Sequence, residues 1–407
     1  MRAVPCAIVA LHVLTATARA QTTAFINGNW FDGFAFVHRT MWSVNGTLST
    51  AKQWEKVDTV DLHNGYAVPA FGDAHSHMPA SVSSFESTEP LFLKSGTFYI
   101  LNPNDIAEFS NPIRPMLTAT DTTIDVLFAH AGFTGTGGHP TKLYQRLVDQ
   151  KYVALTKAQL EGSAFYTIDS AADIARKWPA FLATKPDFVK LYLLHSEAWS
   201  TGKPDSEGSG LRPEFVPELV QRAHAAGLRV GAHVESARDF YYAVRSGVDF
   251  VMHLPGYHWR KHDTDSTYLI DPGDAAVAAR RGIIVVTTVG LAEYDLKERL
   301  PEIRRVQREN LNRLKRSGVR LVIGTDGAPG KVMTEVDALR ATGAFTNLEL
   351  LQMLTVATPQ AIYPGRRIGR IADGYEANFV VAAADPSRDI DALQTLQLRV
   401  KRGVILK

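Results

Sequence analysis

Two histidines one residue apart, His75 and His77, follow the apolar run Val68-Pro69-Ala70-Phe71-Gly72-Asp73-Ala74. The run reads as a buried strand. Side chains at i and i+2 of a strand share a face, so both imidazoles should project together from one strand end. Two imidazoles on a rigid element make half of a metal site. Four further apolar runs carry a group suited to metal chemistry at or near their C-terminal ends: 187–193 with Lys190, 228–233 with His233, 250–253 with His253 and 319–326 with Asp326. A core strand gains nothing from such endings, because burying these groups unpaired costs several kcal/mol. Divalent cations would satisfy all five strand ends together.

The elements that must position these groups alternate between strand and helix from about residue 67 to 360, which predicts a parallel α/β architecture. Eight strands are expected near 67–75, 96–101, 125–131, 187–193, 228–234, 250–254, 283–289 and 319–325. Polar groups gathered at the C-terminal ends fit a (β/α)8 TIM barrel, whose active site lies on that face. Residues 213–226 read as an amphipathic helix stopped at Gly227. The basic stretch 297–316 also holds Glu298, Glu302 and Glu309, with apolar residues at helical spacing, and reads as a helix with a solvated face. Short strands are expected at both ends, in 24–49 with Asn27-Gly28 and Asn45-Gly46 turns and in 378–407, together forming a small β-sandwich. The expected division is therefore 21–66 and 366–407 for the sandwich and 67–365 for the barrel.

Residues 1–20 stand apart. Arg2 gives a minimal positive start, 7–14 is an apolar run too short to span a bilayer, and Ala18-Arg19-Ala20 has the small-x-small form of a cleavage site. This predicts a secretory signal peptide and an exported, periplasmic or secreted mature protein with no stable membrane anchor. The chain holds 44 basic and 42 acidic residues, so loss of Arg2 and Arg19 would balance the two, and loss of Cys6, the single cysteine, would leave it free of thiols. Without a basic block, nucleic acid is not an expected partner. A small molecule is, and the sequence is compatible with a homo-oligomer.

The order His-x-His, Lys, His, His, Asp along successive strands resembles the amidohydrolase superfamily of metal-dependent hydrolases, in its prolidase-like and imidazolonepropionase-like branch. The tail is similar too, through Thr355-Val356-Ala357-Thr358-Pro359-Gln360-Ala361 and Ile371-Ala372-Asp373-Gly374-Tyr375-Glu376-Ala377-Asn378. The usual tail has Gly-x-x-Ala-Asp, and here Asn378 stands in the last place. The resemblance implies that His75, His77, Lys190, His233, His253 and Asp326 ligate metal. His75, His77 and Asp326 would hold one ion, and His233 and His253 the other. The ligand types suit zinc and also allow manganese, iron or cobalt.

Beside dications Lys190 must be neutral, and the resemblance implies that it is carboxylated and bridges two ions. Its alternative is a lysine paired with Asp187 or Glu235. A metal-activated hydroxide would then attack an amide-type C–N bond in a dipeptide or other non-standard peptide, an N-acyl compound or a cyclic amide. Asp326 would act as base and proton carrier, while His139, in a glycine-rich loop after strand 3, and Tyr192, on the Lys190 strand face, would polarise the carbonyl. The competing readings are lactone, ester or phosphotriester hydrolysis by the same centre and deamination of an aminated ring. The second is disfavoured because position 236, where such deaminases place a glutamate, is Ser. His195, His258 and His262 are expected at the surface or substrate rim, and His38, His63, His130 and His224 are expected to be structural.

Overall fold

The computed structural model describes residues 22–52, 57–201, 209–260, 263–294 and 297–406. The expected signal segment and His262 lie outside these residues. Five strands open the chain: β1 (Thr22–Phe31), β2 (Phe36–Val44), β3 (Thr47–Ser49), β4 (Asp58–Asp61) and β5 (Tyr66–Pro69). Ten short strands follow: β6 (Phe71–Asp73), β7 (Thr97–Asn102), β8 (Asp125–Phe128), β9 (Gly132–Thr134), β10 (Phe165–Thr167), β11 (Phe188–Tyr192), β12 (Arg229–His233), β13 (Phe250–Met252), β14 (Ile284–Val286) and β15 (Arg320–Val322). Three more, β16 (Phe379–Ala382), β17 (Leu396–Lys401) and β18 (Val404–Ile405), close the chain.

The middle strands form two parallel sheets, one ordered β6-β7-β8 and one ordered β10-β9-β11-β12-β13-β14-β15. The fold is thus mixed α/β, as the alternation of elements requires. Backbone hydrogen bonds join both edges of the three-stranded sheet to the seven-stranded one. Ala74 N–H donates to Ile323 O at 2.9 Å and Asp326 N–H to His75 O at 2.6 Å, while Asp187 N–H donates to Phe128 O at 2.8 Å. Near the first of these edges Asp73 is also fastened to Thr325, whose N–H and Oγ1 donate to its carboxylate at 3.0 and 2.7 Å.

The connecting helices end as their sequences dictate. Helix Val82–Ser95 opens on a capping box between Ser81 and Ser84 and stops at Gly96, whose φ of 81° suits a residue without Cβ. Helix Val216–Ala225 ends two residues before Gly227, φ 73°, as expected. Helix Leu300–Ser317 buries Ile303, Val306, Leu311 and Leu314, and its basic residues lie outside that face.

Both ends of the chain enter one eight-stranded sheet, ordered β18-β17-β16-β5-β1-β2-β3 with β4 beside β1. Its apolar cluster holds Phe25, Trp30, Met41 and Phe379, with Phe379 ring centroids 5.0 Å from both Phe25 and Trp30. Asn45-Gly46 makes the expected turn, with φ of 52° and 77°. Asn27-Gly28 does not: β1 runs through it, and the register to β2 slips there, so the pair forms a bulge. The β1–β2 hairpin turns instead at Asp32, whose Oδ1 accepts from Phe34 and Ala35 N–H at 2.8 Å each.

Two expected strands are broken. The run 67–75 is shared between β5 in the terminal sheet and β6 in the parallel one, because the two pair with different neighbours. The run 125–131 stops at Phe128. His130 takes a φ of 58°, and the chain resumes as β9, whose pairing with β10 the sequence did not suggest.

Candidate metal centre and active site

His75 and His77 lie just beyond β6, not on it. Their rings nevertheless sit side by side, with centroids 5.4 Å apart, because the loop is fixed. Ser76 N–H donates to Leu101 O at 3.1 Å, His75 N–H to Asp73 at 3.1 Å, and His77 Nδ1 meets Asn104 O at 3.0 Å. Lys190 is the central residue of β11, and His233 is the last of β12. His253 directly follows β13, and Asp326 lies in the loop after β15. His253 and Asp326 have φ values of 91° and 47°. A left-handed backbone in non-glycine residues costs about 1–3 kcal/mol each and persists where the surroundings enforce it, commonly at functional sites.

All six groups meet. His77 Nε2, His75 Nε2 and His253 Nε2 lie 3.3, 3.8 and 4.0 Å from the Asp326 carboxylate oxygens. The His253 ring lies 4.4 Å from that of His75 and 4.5 Å from that of His233. Lys190 Nζ is buried, 3.4 Å from Met252 Sδ and 5.2 Å from the centre of the Tyr192 ring. Among the described residues it has no carboxylate within ion-pair distance. Asp187 is taken by Arg114 at 3.0 Å and Glu235 by His195, so neither alternative partner for the lysine applies.

The electrostatics follow from burial. Burial pulls His75 and His253 well below the ordinary histidine range and lowers His233. Burial also brings Lys190 down to about 7, against a smaller opposing pull from Asp326. For Asp326 burial acts upward, but the imidazoles of His75 and His77 with Lys190 outweigh it and hold the carboxyl below its usual range. His77 differs: burial pulls it down, but its contact with the Asp326 carboxylate outweighs this and raises the imidazole. Neutral His75, His233 and His253 around an ionised carboxylate are protonation states that metal binding requires.

A metal ion fits these residues. Two ligands on one tetrahedral ion, with bonds of about 2.0–2.2 Å, stand roughly 3.3–3.6 Å apart. The carboxylate-to-imidazole distances bracket that spacing, and two of the three are too long for hydrogen bonds. His75, His253 and Asp326 have donor atoms all within 4.8 Å of one another. His75 Nδ1 is buried without a partner, which leaves that ring incompletely satisfied by the protein alone. His253 thus lies near Asp326 and His75 as well as near His233. Its other nitrogen, Nδ1, is 2.8 Å from Thr288 Oγ1, which orients the ring.

His139 and Tyr192 flank His233, with ring centroids 5.1 and 5.6 Å from it and 5.3 Å from each other. Burial keeps His139 neutral, down to about 3, and Tyr192 protonated. Both line a cavity of about 710 Å³ that also contains His75, His77, Lys190, His233, His253 and Asp326.

Two neighbours of the site carry no motif in the sequence. Tyr257 stacks on His253 at 4.3 Å and 20°, and its Oη is 3.3 Å from His233 Nε2. Glu235 Oε1 is 3.6 Å from the same nitrogen. His195, expected at the surface or rim, is buried at 4% exposure, because Glu197 and Glu235 flank it and Asp239 accepts its backbone N–H. His258 is half-buried beside Tyr257. His130 is buried against Asp105 at 2.8 Å and His224 meets Asp249 at 2.9 Å, both structural, whereas His38 and His63 are exposed.

No curated protein sequence matches the chain significantly. Among solved structures, an amidohydrolase aligns with a TM-score of 0.73 at 18% identity, covering 95% of this chain and 99% of its own. A Xaa-Pro dipeptidase with bound methionine aligns at 0.72 and 15%, over 95% and 100%. The ochratoxinase of A. niger aligns at 0.71 and 17%, over 95% and 96%. These likenesses establish the fold. The family model of the amidohydrolases matches residues 66–405, and the chain accordingly belongs to the amidohydrolase family, hydrolases acting on carbon–nitrogen bonds.

Proposed function

We propose that the chain cleaves an amide-type C–N bond in a small molecule, using two divalent ions, zinc by ligand type, held by His75, His77, His233, His253, Asp326 and a carboxylated Lys190. Lys190 carries this reading. It is buried among four imidazoles and a carboxylate and has no anionic partner among the described residues. As an ammonium it would oppose every cation brought to the cluster. As a neutral amine it can bond to the carbon of carbon dioxide and release a proton, giving a carbamate whose two oxygens suit two ions.

Ions bound there would supply a Lewis acid and an acidified water. The chain's own groups do the rest. Asp326 accepts a proton on its carboxylate and passes it to the leaving amine. His139 and Tyr192, both neutral and beside His233, donate toward the carbonyl oxygen. Ser236 Oγ is engaged by Glu197 at 3.0 Å and caps helix Ala237–Ser246, which disfavours ring deamination further.

The same reading includes a closed (β/α)8 barrel over about 67–365, supported by the hydrogen bonds of Ala74 and Asp326 to the opposite sheet edge. It includes a sandwich from 21–66 and 366–407, supported by their shared sheet and apolar cluster. Export after cleavage near Ala20 is part of it as well, supported by the Ala-Arg-Ala sequence, and an intact mass beginning at Gln21 in the exported fraction tests it.

Metal-loaded protein assayed against dipeptides, N-acyl amino acids and lactones tests the activity. Turnover of an amide class with about two ions per chain is expected. Turnover confined to lactones moves the reading to ester hydrolysis, and no metal-dependent turnover of any class overturns it.

A further inference from the structure

The cavity that holds the metal-ligand cluster is strongly asymmetric in chemistry. At its floor stand the imidazoles, Lys190 and Asp326. Away from the floor one wall is apolar, built by Ile106, Phe109, Leu147 and Val153, which pack together, with Leu143. The segment that leads into helix Val82–Ser95 adds Met78, Ala80 and the hydroxyls of Ser81 and Ser84 to the lining. The apolar wall is firm: Phe109, Leu147 and Val153 are half-buried against the packed cluster of Ile106, Tyr144, Leu160, Ala164 and Phe165. At the rim Tyr152 is 78% exposed, an aromatic ring left for an occupant to cover.

Charge is as informative as shape. Among the described lining residues the charged side chains are Lys190, Asp326 and Asp105. The first two belong to the floor, and Asp105 is buried against His130 and Ser110. The described mouth therefore offers no ion to pair with a charged group of a substrate, and holding such a group there would cost desolvation without compensation.

We infer that the substrate presents to this mouth an apolar, uncharged arm of several carbons, so that the enzyme takes N-acyl or aryl amides with a lipophilic arm in preference to free dipeptides, whose termini are charged. This rests on the hydrolase reading for its chemistry and on the cavity alone for its selectivity. Each methylene that moves from water onto the wall should tighten binding about 4-fold.

Calorimetric binding of alkyl hydroxamates, two to eight carbons long, to the metal-loaded full chain separates the two. Affinity is expected to rise by about 3- to 4-fold per methylene along the wall, and eight-carbon analogues ending in carboxylate or ammonium should bind at least about 10-fold more weakly, a penalty that unpaired burial of a charge supplies. Leu147→Asp should flatten the length dependence, and Leu147→Gln serves if that variant fails to fold, with thermal midpoint and metal content measured for both. Affinity independent of length, or charged ends that bind as well as the alkyl end, overturns the inference. Acetyl and octanoyl 4-nitroanilides add the second arm. Equal turnover of both sinks the inference while the hydrolase reading stands, and no turnover alongside a hydroxamate gradient sinks only the amide reading.

Discussion

His195 Nε2 lies 2.7 Å from Glu235 Oε2, and the other oxygen of that carboxylate lies 3.6 Å from Nε2 of His233. Glu235 thus stands between a histidine outside the cavity lining and one at its floor. Burial opposes protonation of His195, yet Glu197 and Glu235 outweigh it and push the imidazole up to about 10.

The sign of the resulting pH dependence is fixed. A histidine raised in the folded state stabilises fully below its unfolded value of about 6.5 and loses that contribution as pH rises through its folded value. Thermal midpoints of the wild type are therefore expected to fall between about pH 6.5 and 10, a slope that His195→Gln should reduce. Parallel profiles for the two proteins would show that the pair contributes nothing to folding.

Substituting Asp326→Asn keeps the shape of the side chain but removes its charge and its capacity as a base. Turnover should drop by at least about 10²- to 10⁴-fold, the loss of a general base alone, with an unchanged circular dichroism spectrum. Wild-type-like turnover would remove Asp326 from the chemistry.

Lys190→Ala should lose metal and activity together, since the proposed bridge is gone. Acetate or propionate added in excess should restore part of the turnover by filling the vacated space with a carboxylate. Full activity at about one tightly bound ion per chain would exclude the bridged pair.

Asn378, the departure in the tail, uses its amide. Its Nδ2 donates to Tyr99 Oη at 2.8 Å and to Glu376 Oε2 at 2.9 Å, and its Oδ1 accepts from Arg402 N–H at 2.6 Å. An aspartate would set a carboxylate against Glu376 and lose both donations. Asn378→Asp is expected to lower stability by about 1–3 kcal/mol in urea titration, the cost of unsatisfied buried groups, without changing metal content.

Much of this was legible along the chain because strands and helices leave local marks. The central strands around Lys190, His233 and His253 fall within a residue or two of their expected bounds, since each is a short apolar run bounded by polar residues. The interruptions were not legible. The split at Ala70 between β5 and β6, and that at His130 between β8 and β9, depend on which neighbour each half pairs with, which no local pattern encodes.

The sequence by itself determined the types and order of the six gathered side chains, and with them the family. The tertiary structure decided how they meet. It set His75 and His77 in a loop held by Leu101 and Asn104, brought Asp326 to within 4.0 Å of three imidazoles, and buried His195 behind Glu235. Residue type and spacing are properties of the chain. Distance, burial and the protonation that follows from them arise between segments as much as 251 residues apart, His75 to Asp326, and exist only once the sheets have assembled.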